Sequence, residues 1–200
     1  MKRTKGIYLT FLAVLLSPLA ANADIILDQD NSLTHAGLGF CHIANYMCGQ
    51  SFQQDNDNIA GAGIFLGNRR YWEGSGQITI SILEENDGTY GSLITSGTSG
   101  TVDHNSGWVD VFWDAVELAP LTTYYLILSS TERNLVATYD TGYGAGNYAS
   151  GAAVYRGRTL GAYDLAFRTY ADTTVPEPGT MALFGIGLAG MGLARRRRKT

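Results

Sequence analysis

Between residues 77 and 83 the chain alternates cleanly: Ile78, Ile80 and Ile82 take one phase, Gln77, Thr79 and Ser81 the other. Successive side chains of a strand point to opposite faces, so this phase turns the isoleucines toward a core and the polar residues toward water. The same period of two returns at 108–113, with Val109, Val111 and Trp113 together, and at 124–129, with Tyr124, Leu126 and Leu128 together. Shorter apolar runs stand at 25–27, 50–52, 59–66, 93–95, 136–139, 152–155 and 164–170. Turn formers separate them: 53–58, Asn86-Asp87-Gly88, Pro120 and the glycine-rich stretch 142–151. No long 3.6-residue periodicity interrupts the series. About eight to ten short strands without helices between them predict an all-β fold, an antiparallel β-sandwich or jelly roll.

The two chain ends follow other patterns. Lys2, Arg3 and Lys5 precede an apolar run at 7–16, Pro18 ends it, and Ala21-Asn22-Ala23 is a small-x-small cleavage site. That order is a Sec signal peptide over 1–23, removed by signal peptidase so that the mature chain begins at Asp24. At the other end, Pro176-Glu177-Pro178 is followed by an apolar segment at 180–194 and by the basic residues 195–199. The prolines hold an extended backbone. The apolar segment, predicted as a hydrophobic transmembrane helix, is short against the roughly 20 residues that span a bilayer comfortably. A basic cluster after it stays cytoplasmic, which places everything before it outside the inner membrane.

The tail at 175–200, with Pro176, Glu177, Pro178, its glycine-rich apolar helix and its arginine cluster, resembles the PEP-CTERM sorting signal of Gram-negative bacteria. The resemblance implies recognition and removal by the membrane enzyme exosortase. It also implies a setting at the cell surface or in an extracellular matrix associated with exopolysaccharide and biofilm. An ordinary short C-terminal anchor is the plainer alternative, and it too places the domain outside the inner membrane.

Trimming both ends leaves a β domain at 24–174 and changes the charge. Of 14 basic residues only six arginines remain, with no lysine, against 17 of the 18 acids, so the body carries about −11. Such a surface argues against nucleic acid and anionic lipid as partners. Cys41 and Cys48 both fall in the exported part. An even count in an oxidising compartment favours a disulfide over two free thiols or a metal site.

A series of landmarks also runs through the body. It comprises Gln50-Ser51-Phe52, 78–83 with its Asn-Asp-Gly turn, Gly107-Trp108, Leu118 with Thr123-Tyr124-Tyr125-Leu126 and Leu128, and Asp164-Leu165-Ala166-Phe167-Arg168. In this order they resemble the choice-of-anchor type of β-sandwich domain on bacterial surface proteins. The likeness covers 48–170 and leaves the Cys41–Cys48 segment unmatched. It implies architecture and anchoring, and no activity.

Candidate chemistry is sparse. The adjacent Glu84 and Glu85 point to opposite strand faces, and Asp110 and Asp114 straddle an aromatic strand end. A glycosidase needs two carboxyls facing one another across a groove. His35, His42 and His104 fall in predicted loops, and no Gly-x-Ser-x-Gly is present. Asp28, Asp30, Asp55 and Asp57 offer hard oxygen ligands for a structural Ca²⁺, although such clusters are also ordinary turn formers. Trp108, Trp113, Tyr124 and Phe167 read as core. Tyr71, Trp72, Tyr143 and Tyr148 are loop aromatics that could stack on sugar rings or plug the ends of a sandwich. The sequence therefore predicts a non-enzymatic exported surface or matrix protein without an obligate cofactor. A carbohydrate- or Ca-binding adhesion module is the alternative, and a small secreted hydrolase ranks last.

Overall fold

Ile78, Ile80 and Ile82 are fully buried on one strand, while Thr79 and Ser81 remain half-buried on its other face. The computed structural model describes residues 24–32, 38–44, 47–67, 74–86, 89–103, 105–140, 148–161 and 163–173. In chain order the strands begin with β1 (Asp24–Asn31), β2 (Leu38–His42), β3 (Cys48–Gln53), β4 (Asn58–Phe65) and β5 (Ser75–Gly76). They continue with β6 (Ile78–Asn86), β7 (Thr89–Thr98), β8 (Val102–Asp103), β9 (Trp108–Glu117) and β10 (Thr123–Ser130). The last are β11 (Val136–Asp140), β12 (Ala153–Tyr155), β13 (Arg158–Leu160), β14 (Asp164–Leu165) and β15 (Phe167–Thr173). No helix occurs among the described residues, and none is long and apolar enough to cross a membrane.

A six-stranded sheet runs β13-β12-β3-β10-β6-β7, and a four-stranded sheet runs β1-β15-β4-β9. Smaller sheets run β14-β11-β2 and β5-β8. Neighbours within the six-stranded sheet pair antiparallel, as do β15-β4 and β4-β9. The inward phases of the two large sheets share one core. Phe52 of β3 lies 6.2 Å from Phe167 of β15 across the gap and 6.2 Å from Tyr124 of β10. Ile59, Ile64, Val109 and Val111 of the four-stranded sheet belong to the same cluster as Ile80, Leu126 and Leu128 of the six-stranded one. The arrangement is all-β with antiparallel sheets and fits a β-sandwich.

The stretch 164–170, read as one strand, divides at Ala166. The Ala166 N–H donates to the Thr138 carbonyl at 2.9 Å, and its own carbonyl accepts from the Phe65 N–H at 3.1 Å. One residue is thereby bonded to β11 on one side and β4 on the other. β14 belongs to the three-stranded sheet and β15 to the four-stranded one. The strands β2, β5, β8 and β13 carry no apolar alternation long enough to announce them; partners make them strands. β2, for example, is held along its whole length by β11, from Leu38 opposite Asp140 to His42 opposite Val136.

The Sγ atoms of Cys41 and Cys48 are joined in a disulfide, with Cα atoms 6.0 Å apart. Both residues are buried. The bond links β2 of the three-stranded sheet to β3 of the six-stranded sheet. Residues Ile25–Asp172 form one compact unit. The expected signal peptide at 1–23 and the expected sorting tail with its helix lie outside the described residues, as do Asp87 and Gly88 of the expected turn.

The disulfide closes a short loop, so the chain-entropy model assigns it about 2–3 kcal/mol. Urea unfolding of Cys41→Ala/Cys48→Ala, or of the reduced protein, is expected to show a loss of that size. An unchanged midpoint would mean that the bond constrains nothing the two sheets do not already hold.

Candidate functional site

Because Val109 and Val111 turn into the core, Trp108, Asp110 and Phe112 of β9 turn outward. The same logic on β15 buries Phe167, Thr169 and Ala171 and sends Arg168 and Tyr170 outward. Between them runs β4, where Gly61 stands opposite both Phe112 and Tyr170, and Gly63 opposite both Asp110 and Arg168. These glycines allow a close approach. A Cβ at Gly61 would lie 2.6 Å from a Phe112 ring carbon, and one at Gly63 would overlap the Asp110 carboxylate. The flanking side chains lean across this bare floor and meet.

Arg168 Nε donates to Asp110 Oδ1 at 2.7 Å, and Arg168 Nη2 pairs with Asp110 Oδ2. The Tyr170 hydroxyl adds a 2.8 Å bond to Oδ1. The guanidinium lies 4.2 Å from the Trp108 ring, whose neighbour Phe65 packs edge-on at 5.6 Å. Phe112 and Tyr170 pack at 4.9 Å, and Phe112 remains 54% exposed. Burial, followed by the bond to Asp110, pushes the Tyr170 phenol well above its ordinary value. The bonds from Asp110 raise the Arg168 guanidinium as well. A bidentate pair with an aromatic lid is rigid. The face offers an exposed phenylalanine packed on a half-buried tyrosine beside fixed polar groups, the equipment of a binding surface.

This face corrects one expectation. Trp108, read as core, stands on the outer face under Arg168, whereas Tyr124 and Phe167 are buried and Trp113 packs partly against the core. The signal for the outer face was present in the sequence: if Val109, Val111 and Trp113 point in, the aromatics at 108 and 112 point out. Glu84 and Glu85 lie on β6, in a different sheet from Asp110 and Asp114 on β9.

Three of the four acids considered for Ca²⁺, Asp28, Asp30 and Asp57, have other partners. Asp28 Oδ1 accepts from the Asp55 N–H at 3.0 Å and from Gln29 Nε2 at 2.6 Å. Its Oδ2 accepts from the Asn56 N–H at 2.8 Å and from Asn56 Nδ2 at 2.5 Å. The structure thus brings Asp28 to the 55–58 loop, where it faces N–H donors and caps the turn. Asp30 accepts from the Ser32 hydroxyl, and Asp57 from Asn58 Nδ2. Among the described residues no group of three or more His, Cys, Asp or Glu is arranged to hold a metal ion.

Tyr71, Trp72 and Tyr143 lie outside the described residues, as do His35 and His104. Tyr148 is described, and it is a latch between elements. Its ring packs edge-on against Phe167 at 5.0 Å. Its hydroxyl accepts from the Gln53 N–H at 3.0 Å and lies 3.1 Å from both the Gln53 carbonyl and Gln29 Oε1, either of which takes its proton. Burial pushes the phenol up to about 12. A folded value above the unfolded one contributes stability that is complete below about pH 10 and disappears as pH rises toward 12. Stability is therefore expected to fall across that alkaline range. Tyr148→Phe should flatten part of the fall while costing about 1 kcal/mol at neutral pH from the lost hydrogen bonds. Urea midpoints at three pH values test this, and an equal alkaline loss in the variant would contradict it.

The body is thus an all-β domain with an aromatic outer face on its four-stranded sheet. At its C-terminal side, residues 174–199 match the model of the PEP-CTERM protein-sorting motif. The match supports an exported, exosortase-processed chain, transiently anchored in a membrane and then released. No curated protein and no solved structure matches this chain.

Proposed function

We propose that this is a non-enzymatic surface or extracellular-matrix protein of a Gram-negative bacterium, delivered by Sec and sorted by exosortase in an exopolysaccharide or biofilm setting. The observation that carries this reading is the sorting motif at 174–199, which follows directly on the described β body. A disulfide between buried cysteines accords with an oxidising destination. The body's architecture is consistent with the choice-of-anchor type of sandwich. Mass spectrometry of the exported protein is expected to show a chain beginning at Asp24 and lacking 195–200. An intact basic C-terminus on the released protein would overturn the processing step.

A second reading, a carbohydrate-binding adhesion module, is favoured by the exposed Phe112 beside Tyr170, Asp110 and Arg168. Apolar faces of sugar rings stack on exposed aromatics, and hydroxyls bond to fixed polar groups. Binding on a panel of neutral polysaccharides should weaken about tenfold or more in Phe112→Ala, a typical loss for one well-packed anchor. Equal binding by the wild type and the variant would remove this face from the proposal.

A further inference from the structure

Ala119-Pro120-Leu121-Thr122 turns the chain from β9 into β10. Leu121 adopts φ 56°, a left-handed conformation that a bulky side chain enters only at a cost. It is also 68% exposed, more than any other large apolar residue described. Asparagine or glycine at this place would ease the backbone and leave no hydrocarbon in water. Strain and exposed apolar surface on one side chain mark a position with a use outside the body.

Hydrogen bonds fix this turn at the end from which the chain leaves. The Leu121 N–H donates to the Gln54 carbonyl at 2.9 Å, and the Leu118 N–H to the Asp57 carbonyl at 2.8 Å. Beside them, the Asp172 N–H donates to Asn58 Oδ1 at 2.8 Å, and Asn58 Nδ2 to the Asp172 carbonyl at 3.0 Å. Asp172 stands one residue before the end of β15, and the sorting motif begins at residue 174. β1 runs opposite to β15, with Asn31 at Leu165 and Gln29 at Thr169, so it starts where β15 ends. There Ile25 and Leu27 share the phase of buried Asn31 and are nevertheless 42% and 48% exposed. Asp28, next to Leu27, holds the Asp55 N–H, one residue from Gln54. The three apolar side chains are thus tied to one loop at the exit.

The tether and the charge decide what this end meets. In the sorting reading proposed above, on which this inference rests, the apolar segment at 180–194 stays in the membrane until the tail is cut. Six residues, 174–179, separate it from Thr173, and a fully extended chain covers about 20 Å over that length. The exit end is therefore kept near the bilayer at an effective concentration on the order of millimolar, which populates even weak apolar contacts. Charge opposes the contact. Asp24, Asp28, Asp55, Asp57, Glu117 and Asp172 share this end, with Asp114 on β9 and Glu84 and Glu85 on β6 just behind. The described arginines lie elsewhere. Arg133 follows the far end of β10, Arg156 and Arg158 sit by the far end of β3, and Arg168 is held by Asp110. Without its tether such an end is repelled by anionic lipid. We infer that Leu121, with Ile25 and Leu27, is a lipid-contacting tip that seats the tethered body on the bilayer and lets go once the tail is cut.

The uncut chain 24–200, reconstituted in phosphatidylcholine vesicles, tests this with tryptophan placed at Leu121. Met47→Trp is the control, because Met47 is exposed at the opposite end of β3 from Gln53. Flotation shows whether the chain is anchored. With the wild-type emission subtracted, Leu121→Trp should emit further to the blue and lose intensity to brominated acyl chains, and Met47→Trp should do neither. Phosphatidylglycerol in the vesicles should reduce the effect at low salt, and added salt should restore it. The released, processed protein carrying Leu121→Trp should show no shift with the same vesicles. Circular dichroism checks the fold, and Ile25→Trp is the second probe if Leu121→Trp does not fold. A chain that fails to float removes the anchor, and with it both the sorting reading and the tip. An anchored chain without quenching removes the tip alone. Equal quenching at Met47, or quenching that persists in the released protein, would also overturn the inference.

Discussion

One crossing point holds the body together. At Asp164–Phe167 the chain leaves one sheet for another, and all four residues there are buried. Backbone groups in such a place must find partners or cost about 1–3 kcal/mol each. Gln50, itself fully buried on β3, supplies them from the side. Its Oε1 accepts from the Leu165 N–H at 2.7 Å, and its Nε2 donates to Asp164 Oδ1 at 2.8 Å. Asn31 at the end of β1 donates to the Leu165 carbonyl at 2.7 Å, and the Tyr148 N–H donates to Asp164 Oδ2 at 3.1 Å. Only with this crossing satisfied can Phe167 reach Phe52 and close the core between the large sheets.

The interior also sets the exterior. Once Val111 and Phe167 face inward, period two compels Phe112 and Arg168 to face out, and Gly61 and Gly63 leave them room to meet. The acids follow the same economy of position. Asp28 caps a loop, Asp110 clamps an arginine, and Asp164 anchors the crossing; each is used as a hydrogen-bond acceptor. The strong negative charge is then spread over edges and loops.

The alternating strands could be read from the sequence because their period is local: β6, β9 and β10 each show their buried phase in side chains two apart. β2 and β13 could not, since their strand character comes from pairing with distant segments. The division at Ala166 was hidden because its flanks, Leu165 and Phe167, keep the apolar phase of a continuous strand. The proximity of Asp28 to residues 55–56 was open to guess from clustered oxygen atoms. Its chemistry was not, because a single sequence does not tell whether a carboxylate meets a cation or an N–H. For the same reason nothing marked Asp164 as buried or Gln50 as its partner. Trp108 went to the wrong face by weight of hydrophobicity, although the strand's own alternation assigned it outward.

The body supplies a disulfide-linked all-β domain, and the sorting motif at 174–199 supplies its address. We propose that this address, independent of the body, determines where the chain resides. Cell fractionation with Pro176, Glu177 and Pro178 each replaced by alanine tests that claim most directly. The altered chain should stay in the membrane fraction with its tail uncut while the wild type is released. Identical release of the two would contradict it.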